Sequence, residues 1–461
     1  MSVAAGTTIT VLLWGDTPTH HRDAFDIGWK SAAAVLAILA AFVTVERLRL
    51  SQREHHRQLD NDEATHINTL SSQASEQLGS DKAAVRIGGL TDLERLAEQY
   101  PNLRQTVVDR ICAYLRAPYH PPFSLAARAA ETEPASTGMS ANYTEPSPPE
   151  HSDDEIAARR LELDVRRTAQ QILCRHLRNQ DSSKTSLHAF WEDISLDLQD
   201  AVLIEIDFTN CRIASADFRN ATIYGRALFG GARFDERADF NSARFDGVAE
   251  FSVARFDGGA VFTEARFDRG AAFINAKFVG GAAFGGAKFH KTAEFSKAKF
   301  DRFVAFADVN FDRDVRFRNA NFLKGVEFSE AKFNGVAAFK EATFHGDALF
   351  AGAKFHKLAE FSGVKFNGLA TFTVAKFNNA AMFSKAKLEG EAWFSEATHK
   401  AEIVFDEARV GNSEDDHVWP DGWRVEEISR VSGKAGRLVR LASTLNNGPR
   451  QRSGDEPEAD V

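Results

Sequence analysis

The chain has 461 residues and a net charge of −9, and its acidic excess is concentrated in two segments, 131–155 and 414–460. Its three cysteines are an odd number without paired or metal-type spacing, which argues against a disulfide-stapled fold and against a cysteine metal site. We expect Cys112, Cys174 and Cys211 to be buried, reduced thiols.

An uncharged stretch lies near the N-terminus. Residues 31–45 carry no charge, and with the residues back to 27 they approach the ~20 that a membrane-spanning helix needs. Trp29 suits a membrane interface. A cleaved signal peptide fits less well, because no small-residue cleavage site follows, and a buried helix is the remaining alternative. The sequence therefore predicts an N-terminal tail at 1–26 and a transmembrane helix at 27–46.

The basic residues beside this segment predict its orientation. Arg22 and Lys30 precede it, whereas four arginines follow it: Arg47, Arg49, Arg53 and Arg57. Since positive charge favours the cytoplasmic side, we expect a single-pass protein of the cell membrane with the bulk of the chain in the cytoplasm.

A helical region follows in two parts. The juxtamembrane part, 47–117, has apolar residues at helical spacing, and Ser80 or Asp81 is placed to cap one of its helices. A further helix at 155–180 continues the region. Segment 118–154 between the two is rich in proline, serine and glutamate, which is typical of a disordered linker. Helix pairs of this kind either bind partners or cap a solenoid end.

The C-terminal half is dominated by a phenylalanine repeat. The spacing alternates between five and six residues within an eleven-residue unit such as 243–253, as in Phe234, Phe240, Phe245, Phe251, Phe256, Phe262, Phe267 and Phe273. A short period held this long predicts a solenoid over 190–409, because each unit can bury its apolar face only against its neighbours. A solenoid argues against an enzyme built around one deep pocket.

The head of the array shows a simpler pattern. Large apolar residues are spaced by five, and most have a small residue two places before them: Leu198, Leu203, Phe208, Ile213, Phe218 and Ile223, with Ala201, Cys211, Ala216 and Ala221. In this pattern, clearest at 216–220, the chain resembles the pentapeptide-repeat proteins. The resemblance implies a right-handed, four-sided parallel β-helix whose two recurring positions point inward.

A second stretch extends the resemblance. Residues 77–90, followed by 93–97, look like the helical segment of membrane-anchored pentapeptide-repeat proteins of bacteria. That segment is usually found upstream of a pentapeptide array, as it is here. The activity of these relatives is generally undefined, so the resemblance implies an architecture. The expected fold is mixed: a transmembrane helix, a small α-helical region and a pentapeptide-repeat β-helix.

Steric reasoning predicts the length of one coil. Four pentapeptides make a coil of twenty residues, so two eleven-residue units give a coil of twenty-two with extra residues at two opposite corners. The alternative is a flat eleven-residue coil with Phe234 stacked on Phe245, which has little interior for two phenylalanines. Glycine or asparagine often stands two residues after alternate phenylalanines: Gly247, Gly258, Gly280, Gly335, Gly346, Gly368 and Asn379. We expect these residues to lie at the corners of the coil, where the backbone is left-handed or sharply turned.

Basic residues directly before the phenylalanines are expected to form outward rows. They are Arg233, Arg244, Arg255, Arg266, Lys277, Lys288, Lys299, Lys332, Lys354, Lys365 and Lys376. Such rows suit a nucleic-acid or anionic-lipid track. Aspartates two residues further on, such as Asp235 and Asp257, favour instead a solvated wall of balanced charge, so we do not expect nucleic-acid binding.

No motif predicts chemistry. Glycines 280–281 and 285–286 lack the Gly-Lys-Ser/Thr of a phosphate loop, and the histidine pairs at 20–21 and 55–56 lack metal-ligand spacing. We predict no catalytic, cofactor or metal site and no small-molecule substrate. Trp191 is predicted to cap one end of the solenoid.

The segment 410–461 is predicted to be a C-terminal cap and a disordered tail. Trp419 and Trp423, just after the last repeat, are placed to cover the open end of the solenoid. The same aromatic cap could bind a ligand or mediate a homodimer.

Two functions fit these features. The first is a membrane-tethered, non-enzymatic scaffold that presents the rod to an unknown protein partner at the cytoplasmic face. The alternative is a pentapeptide-type DNA mimic that acts on a topoisomerase or another nucleic-acid enzyme. Mimicry requires one continuous acidic face, and scaffolding does not.

Overall fold

The computed structural model describes residues 18–122, 153–178, 190–427 and 435–440. They fall into two compact units that divide between Ser75 and Glu76. Residues 1–17, most of the predicted linker and most of the predicted C-terminal tail lie outside the described residues.

The described part of the first unit belongs to one long helix. Helix α1 spans Pro18–Leu78, 61 residues, so residues 18–26 of the predicted tail are helical. Several apolar side chains in it are exposed, among them Leu36, Ile38 and Phe42 at 60%, 69% and 61%. In the described part of the chain, no helix combines the length and the apolarity that a bilayer crossing requires. The predicted transmembrane helix at 27–46 is therefore not supported: the apolar stretch ends at Val45, and Glu46 and Arg47 follow within the same helix.

Three further α-helices begin the second unit. They are α2, Ala83–Gln99, α3, Arg104–Arg116, and α4, Asp153–Leu177, with a 3₁₀ turn at Pro101–Leu103 between the first two. Neither Ser80 nor Asp81 caps α2, whose N-cap is Lys82 without a side-chain hydrogen bond. The Ser80 hydroxyl accepts a hydrogen bond from the Lys82 backbone N–H instead, at 3.2 Å. Helix α2 therefore begins later than predicted.

The helices share a core that includes part of the predicted linker. Leu90, Leu93 and Ile111 are fully buried between them. Tyr119 is also buried, against Leu163 and the first coil of the solenoid. Residues 118–122 are thus ordered, contrary to the prediction from composition, because an aromatic ring can be buried even where proline-rich sequence begins.

The solenoid consists of four sheets, numbered 1 to 4, which have 10, 9, 12 and 10 strands. Their strands are parallel except for the last two of sheet 3. Sheet 1 comprises Val202–Ile204, Thr222–Tyr224, Arg244–Phe245, Arg266–Phe267, Lys288–Phe289, Asn310–Phe311, Lys332–Phe333, Lys354–Phe355, Lys376–Phe377 and Thr398–His399. Sheet 2 comprises Ala227–Leu228, Ala249–Glu250, Ala271–Ala272, Ala293–Glu294, Val315–Arg316, Ala337–Ala338, Ala359–Glu360, Ala381–Met382 and Ile403–Val404.

The other two sheets face these. Sheet 3 comprises Arg212–Ile213, Arg233–Phe234, Arg255–Phe256, Lys277–Phe278, Lys299–Phe300, Asn321–Phe322, Thr343–Phe344, Lys365–Phe366, Lys387–Leu388 and Arg409–Val410, and then the antiparallel strands Gly436–Arg440 and Trp423–Glu427. Sheet 4 comprises Leu196–Asp197, Ala216–Asp217, Ala238–Asp239, Ala260–Val261, Ala282–Ala283, Val304–Ala305, Val326–Glu327, Ala348–Leu349, Ala370–Thr371 and Ala392–Trp393.

The strand register confirms the long coil. Phe256 pairs with Phe234 on one side and with Phe278 on the other, so each step spans two eleven-residue units. The eleven-residue coil with Phe234 on Phe245 is therefore rejected. At the start of the array the step is shorter, because Leu203 pairs with Ile223, the spacing of four plain pentapeptides.

Phenylalanine fills the interior of every coil. Within one ladder the rings are stacked, as for Phe240 and Phe262 at 4.8 Å between centroids and 3° between planes. Across the interior they meet edge to face, as for Phe240 and Phe251 at 5.5 Å and 83°. These rings are fully buried, and alanines such as Ala243 and Ala249 occupy the small inward positions. Each offset or edge-to-face pair adds about 0.5–1.5 kcal/mol beyond burial.

The corners differ from the prediction in one respect. The residues with left-handed backbone stand two places after the other set of alternate phenylalanines. Val253, two residues after Phe251, has φ 62° and lies in a turn in which the Ala254 N–H donates a hydrogen bond to the Phe251 carbonyl at 3.0 Å. That is the arrangement of a type II turn. Gly247 lies at a corner that contains the additional residue, where neighbouring coils approach closely. A Cβ atom at position 247 would lie 2.0 Å from the Gly225 carbonyl oxygen, so glycine is needed there. The added residues do occupy opposite corners, as predicted.

Replacing Phe306 by alanine tests this packing. Phe306 is fully buried in mid-array, and large-to-small changes of this kind cost about 3–5 kcal/mol. Because stacked coils stabilise one another, we expect faster hydrogen exchange in residues 284–328 and little change in helices α2–α4. Phe303→Ala is the matched control, since Phe303 is 49% exposed. Equal protection in the two variants would contradict the inward position of Phe306.

Candidate functional site: the capped rod and its charged wall

Two glutamines from the helices complete the open edge of the first coil. The side chain of Gln170 donates to the Ile204 carbonyl at 2.7 Å and accepts from the Ile204 N–H at 2.9 Å. Gln105 does the same for Ser195, with both bonds at 2.9 Å. Each side-chain amide thus makes the hydrogen bonds that a neighbouring strand would make. It satisfies backbone groups at an edge that would otherwise be open to pairing with another strand. The helical region therefore caps the N-terminal end of the solenoid, which decides between the two roles left open by the sequence.

A buried arginine joins the helices to the rod. Arg166 is 1% exposed and donates to the carbonyls of Leu115 at 3.0 Å, Ala117 at 2.5 Å and Val202 at 3.3 Å. Its guanidinium also lies 4.6 Å from the centre of the Tyr119 ring. The three carbonyls belong to two helical-region residues and one solenoid residue, so one side chain couples both parts.

Glu162 balances this charge. It accepts hydrogen bonds from Arg166 Nε at 2.9 Å, from Arg86 Nη2 at 2.9 Å and from the Tyr114 hydroxyl at 2.9 Å. Burial, followed by the Glu162 carboxylate, raises the pKa of Tyr114 to about 12. The phenol therefore stays protonated and donates to Glu162 across the physiological pH range.

A second cluster lies where α2 and α4 meet. His176 is fully buried, and its Nε2 lies 2.8 Å from Glu94 Oε1 and 3.9 Å from Glu98 Oε1. Ligand atoms of these three residues all lie within 4.8 Å of one another, a grouping that could hold a metal ion. The histidine ring stacks on Trp191, the predicted cap, at 4.0 Å and 9°, and Trp191 is fully buried.

Sequence reasoning missed this cluster. Its histidine and its glutamates belong to different helices that are far apart along the chain, so no local spacing joins them. The prediction that the chain has no metal site is untested by this geometry, which shows only that three suitable side chains meet.

The three cysteines are buried and free, as predicted. Burial raises the pKa of Cys112 to about 12 and that of Cys174 to about 12, and it also raises the pKa of Cys211. These thiols are protonated at neutral pH, so they are poor nucleophiles.

In the first half of the rod, aspartates neutralise most of the basic residues, although Lys288 and Lys299 have no carboxylate within 4.0 Å among the described residues. The pairs join neighbouring coils as well as residues of one coil: Arg233–Asp257 at 2.8 Å, Arg244–Asp268 at 2.9 Å, Arg255–Asp257 at 2.5 Å and Lys277–Asp301 at 3.5 Å. Burial raises the pKa of Asp235, but bonds from Arg212 and Arg233 outweigh burial and hold that pKa below its ordinary value. The balanced wall is therefore as predicted for this half.

The second half of sheet 1 departs from that pattern. After Asp312, the residue that follows each strand of this sheet is not acidic: these residues are Asn334, His356, Asn378 and Lys400. Asn378 and His356 hydrogen-bond to each other at 3.3 Å rather than to a lysine. Lys354 pairs with Glu330 at 3.1 Å.

The remaining lysines of this row are not neutralised. Lys332 and Lys376 have no carboxylate within 4.0 Å among the described residues. We call Lys332, Lys354, Lys376 and Lys400 the basic strip. The replacement of aspartate by asparagine or histidine directly after phenylalanine is the sequence signal that could have located the basic strip.

The C-terminal end is covered by tryptophans. Trp419 and Trp423 lie 5.9 Å and 5.3 Å from Phe405, the last ring of the core. An antiparallel hairpin, Trp423–Glu427 with Gly436–Arg440, extends sheet 3. The cavity beside it, about 610 Å³, is lined by five charged residues, Glu402, Asp406, Glu407, Arg437 and Arg440, and by four apolar ones, Val404, Trp423, Leu438 and Val439.

Comparison with known proteins identifies the repeat. The family described as "Pentapeptide repeats (9 copies)" matches residues 198–244, 240–288, 251–299, 284–332, 317–362, 328–375 and 350–398. No curated protein and no solved structure matches the chain.

Replacing Arg166 by methionine tests the coupling of helices and rod. The variant removes the donor to three carbonyls and one of the donors to Glu162, and removing one partner of a buried pair costs about 3–5 kcal/mol. We expect this loss in chemical denaturation, with faster hydrogen exchange in the first coil, residues 196–213. Arg167→Met is the control, because Arg167 forms only a surface pair with Glu205 at 2.6 Å. Similar losses in both variants would show that Arg166 does not couple the two parts.

Proposed function

We propose that this protein, whose residues 198–398 belong to the pentapeptide-repeat family, is a non-enzymatic scaffold that binds an acidic protein segment along the basic strip. The observation that carries the proposal lies in sheet 1: Arg244 and Arg266 near its start pair with Asp268, whereas Lys332 and Lys376 further along have no carboxylate within 4.0 Å among the described residues.

The interior supports a scaffold because it leaves little room for chemistry. Phenylalanine and alanine fill each coil, so the rod offers functional groups only on its outer faces. Its edges are covered at one end by the helices and at the other by the tryptophans. The result is a stiff surface on which side chains recur at a fixed spacing.

The spacing of the basic strip fits an acidic helix. Lys332, Lys354 and Lys376 stand one coil apart, about 4.8 Å, the usual distance between neighbouring strands, and Lys400 lies one coil further on, two residues after the Thr398 that pairs with Lys376. Carboxylates three or four residues apart on a helix lie about 5–6 Å from each other. An acidic helix laid along the rod can therefore bring one carboxylate near each lysine.

Mimicry of DNA has less support. A mimic needs one continuous acidic face, whereas sheets 1 and 3 carry rows of arginine and lysine along the rod: Arg233, Arg255, Lys277, Lys299 and Lys365 on sheet 3, for example. The outward residues of sheet 4 from Val261 to Trp393 are almost all uncharged. We therefore retain the scaffold.

The proposal is tested with a glutamate-rich helical peptide of about twenty residues, followed by fluorescence anisotropy on the purified protein. We expect saturable binding that weakens as salt rises, because surface charges are screened. The triple variant Lys332→Glu, Lys354→Glu and Lys376→Glu should bind at least tenfold more weakly.

The matched control reverses three exposed lysines beside sheet 2: Lys297, Lys340 and Lys385. It changes the net charge by the same amount and should leave peptide binding within about twofold. Equal weakening in both triple variants would reduce the effect to net charge and contradict the proposal. So would tighter binding of a duplex DNA of similar charge than of the peptide.

We further propose that residues 27–46 hold the scaffold at the cytoplasmic face of a membrane. The support is the run of exposed apolar side chains on α1, from Trp29 at 70% to Val45 at 45%, which Arg47 and Arg49 follow.

Membrane fractionation tests the tether. We expect the protein in the membrane fraction, and the variant Leu36→Asp, Ile38→Asp and Phe42→Asp in the supernatant. Exposed apolar residues of the rod supply the control: Val248→Asp, Phe303→Asp and Leu323→Asp should not release the protein. An alkaline phosphatase fused after residue 60 should be inactive, since it needs an oxidising compartment. Full recovery of the unmodified protein in the supernatant would contradict the tether.

A further inference from the structure

The cluster at the junction of α2 and α4 has the composition of a metal site. Glu94 and Glu98 stand one helical turn apart on α2, so their side chains share a face. His176, in the last turn of α4, points its Nε2 at both carboxylates, at 2.8 Å and 3.9 Å. The three groups come from two helices and converge on one point.

The ligand types select the kind of ion. One imidazole nitrogen and two carboxylates suit Zn²⁺ and related divalent transition metals, whereas Mg²⁺ and Ca²⁺ prefer oxygen alone. Bonds to Zn²⁺ are about 2.0–2.2 Å, so ligand atoms within 4.8 Å of one another need only small side-chain movements to share an ion. Three protein ligands leave a position for water.

The surroundings fix the histidine and leave an entrance. The His176 ring stacks on Trp191, whose backbone N–H donates to the His176 carbonyl at 2.8 Å. Groups that hold the ring of a ligand in place are a regular part of metal sites. The Glu94 side chain is 12% exposed and that of Glu98 38%, so an ion can reach the cluster from the side of Glu98.

Arg175 contacts a carboxylate that an ion would also bind. Its Nη1 lies 2.8 Å from Glu94 Oε1, the same oxygen that faces His176. Because its side chain is 40% exposed, Arg175 can turn into solvent without unfolding the helix. Arg175 and a metal ion therefore compete for one carboxylate.

We propose that Glu94, Glu98 and His176 form a zinc-type site that clamps α2 to α4. The clamp lies at the residue on which the cap Trp191 stacks, directly before the first coil. Metal binding therefore stabilises the end of the rod.

The experiment titrates Zn²⁺ into the chelator-stripped full chain and follows both calorimetry and the unfolding temperature. We expect one saturable site per chain and a rise in unfolding temperature, with no effect of Mg²⁺ at the same concentration. Glu98→Gln should weaken binding at least tenfold. It is the decisive variant, because Glu98 is partly exposed and its loss is not expected to prevent folding. His176→Gln should abolish the effect.

Arg175→Gln separates a metal site from a simple ion cluster. If the cluster only pairs charges, this variant loses stability and gains nothing from Zn²⁺. If the cluster binds metal, the variant loses stability without metal but binds Zn²⁺ several-fold more tightly, since the competing cation is gone. Absence of a saturable site in the wild type overturns the proposal. Binding that is unchanged in Glu98→Gln also overturns it, because the ion would then lie elsewhere in the protein.

Discussion

The contact between stacked phenylalanine rings determines most of this structure. Each ring lies flat on its equivalent in the next coil, as Phe234 does on Phe256 at 5.0 Å and 2°. A ring that is stacked above and below can shift only if its whole ladder shifts, so the repeat fixes the rise, the register and the position of every outward residue. The core is therefore nearly invariant along the rod, and differences between coils are confined to the surface.

This division places the proposed binding surface on the outside of the rod. Aspartates that neutralise the basic rows near the start give way to asparagine and histidine after Asp312, although the inward residues stay nearly the same. Asp268 and Asn378 occupy equivalent positions, each directly after an inward phenylalanine of sheet 1, and both are half-buried. Asp268 forms an ion pair with Arg244, which an uncharged asparagine cannot do. The basic strip is consequently a feature of surface chemistry on a constant frame. The junction cluster, by contrast, lies where the repeat has not yet begun.

Sequence reasoning was most reliable where one period controlled the structure. The buried thiols follow from residue type and spacing, and the coil of two eleven-residue units follows from spacing once the resemblance to pentapeptide repeats supplies a four-sided coil. It failed for features that depend on contacts between residues far apart in the sequence. Gly247 is required by the neighbouring coil rather than by its own backbone, and Tyr119 is buried against residues from α4 and the first coil. The approach of Glu94 and His176 depends on how two helices pack, which periodicity does not report.

The central claim, a rod that rises one strand spacing for every two eleven-residue units, is tested most directly by a distance between spin labels. Arg233 and Lys365 lie on strands of sheet 3 that are separated by six coil steps, and both are exposed. With cysteine-linked labels at these two positions, electron double resonance should give a distance of about 29 Å, six strand spacings of about 4.8 Å. A distance of about 58 Å, which twelve eleven-residue coils at the same strand spacing would produce, would contradict the account.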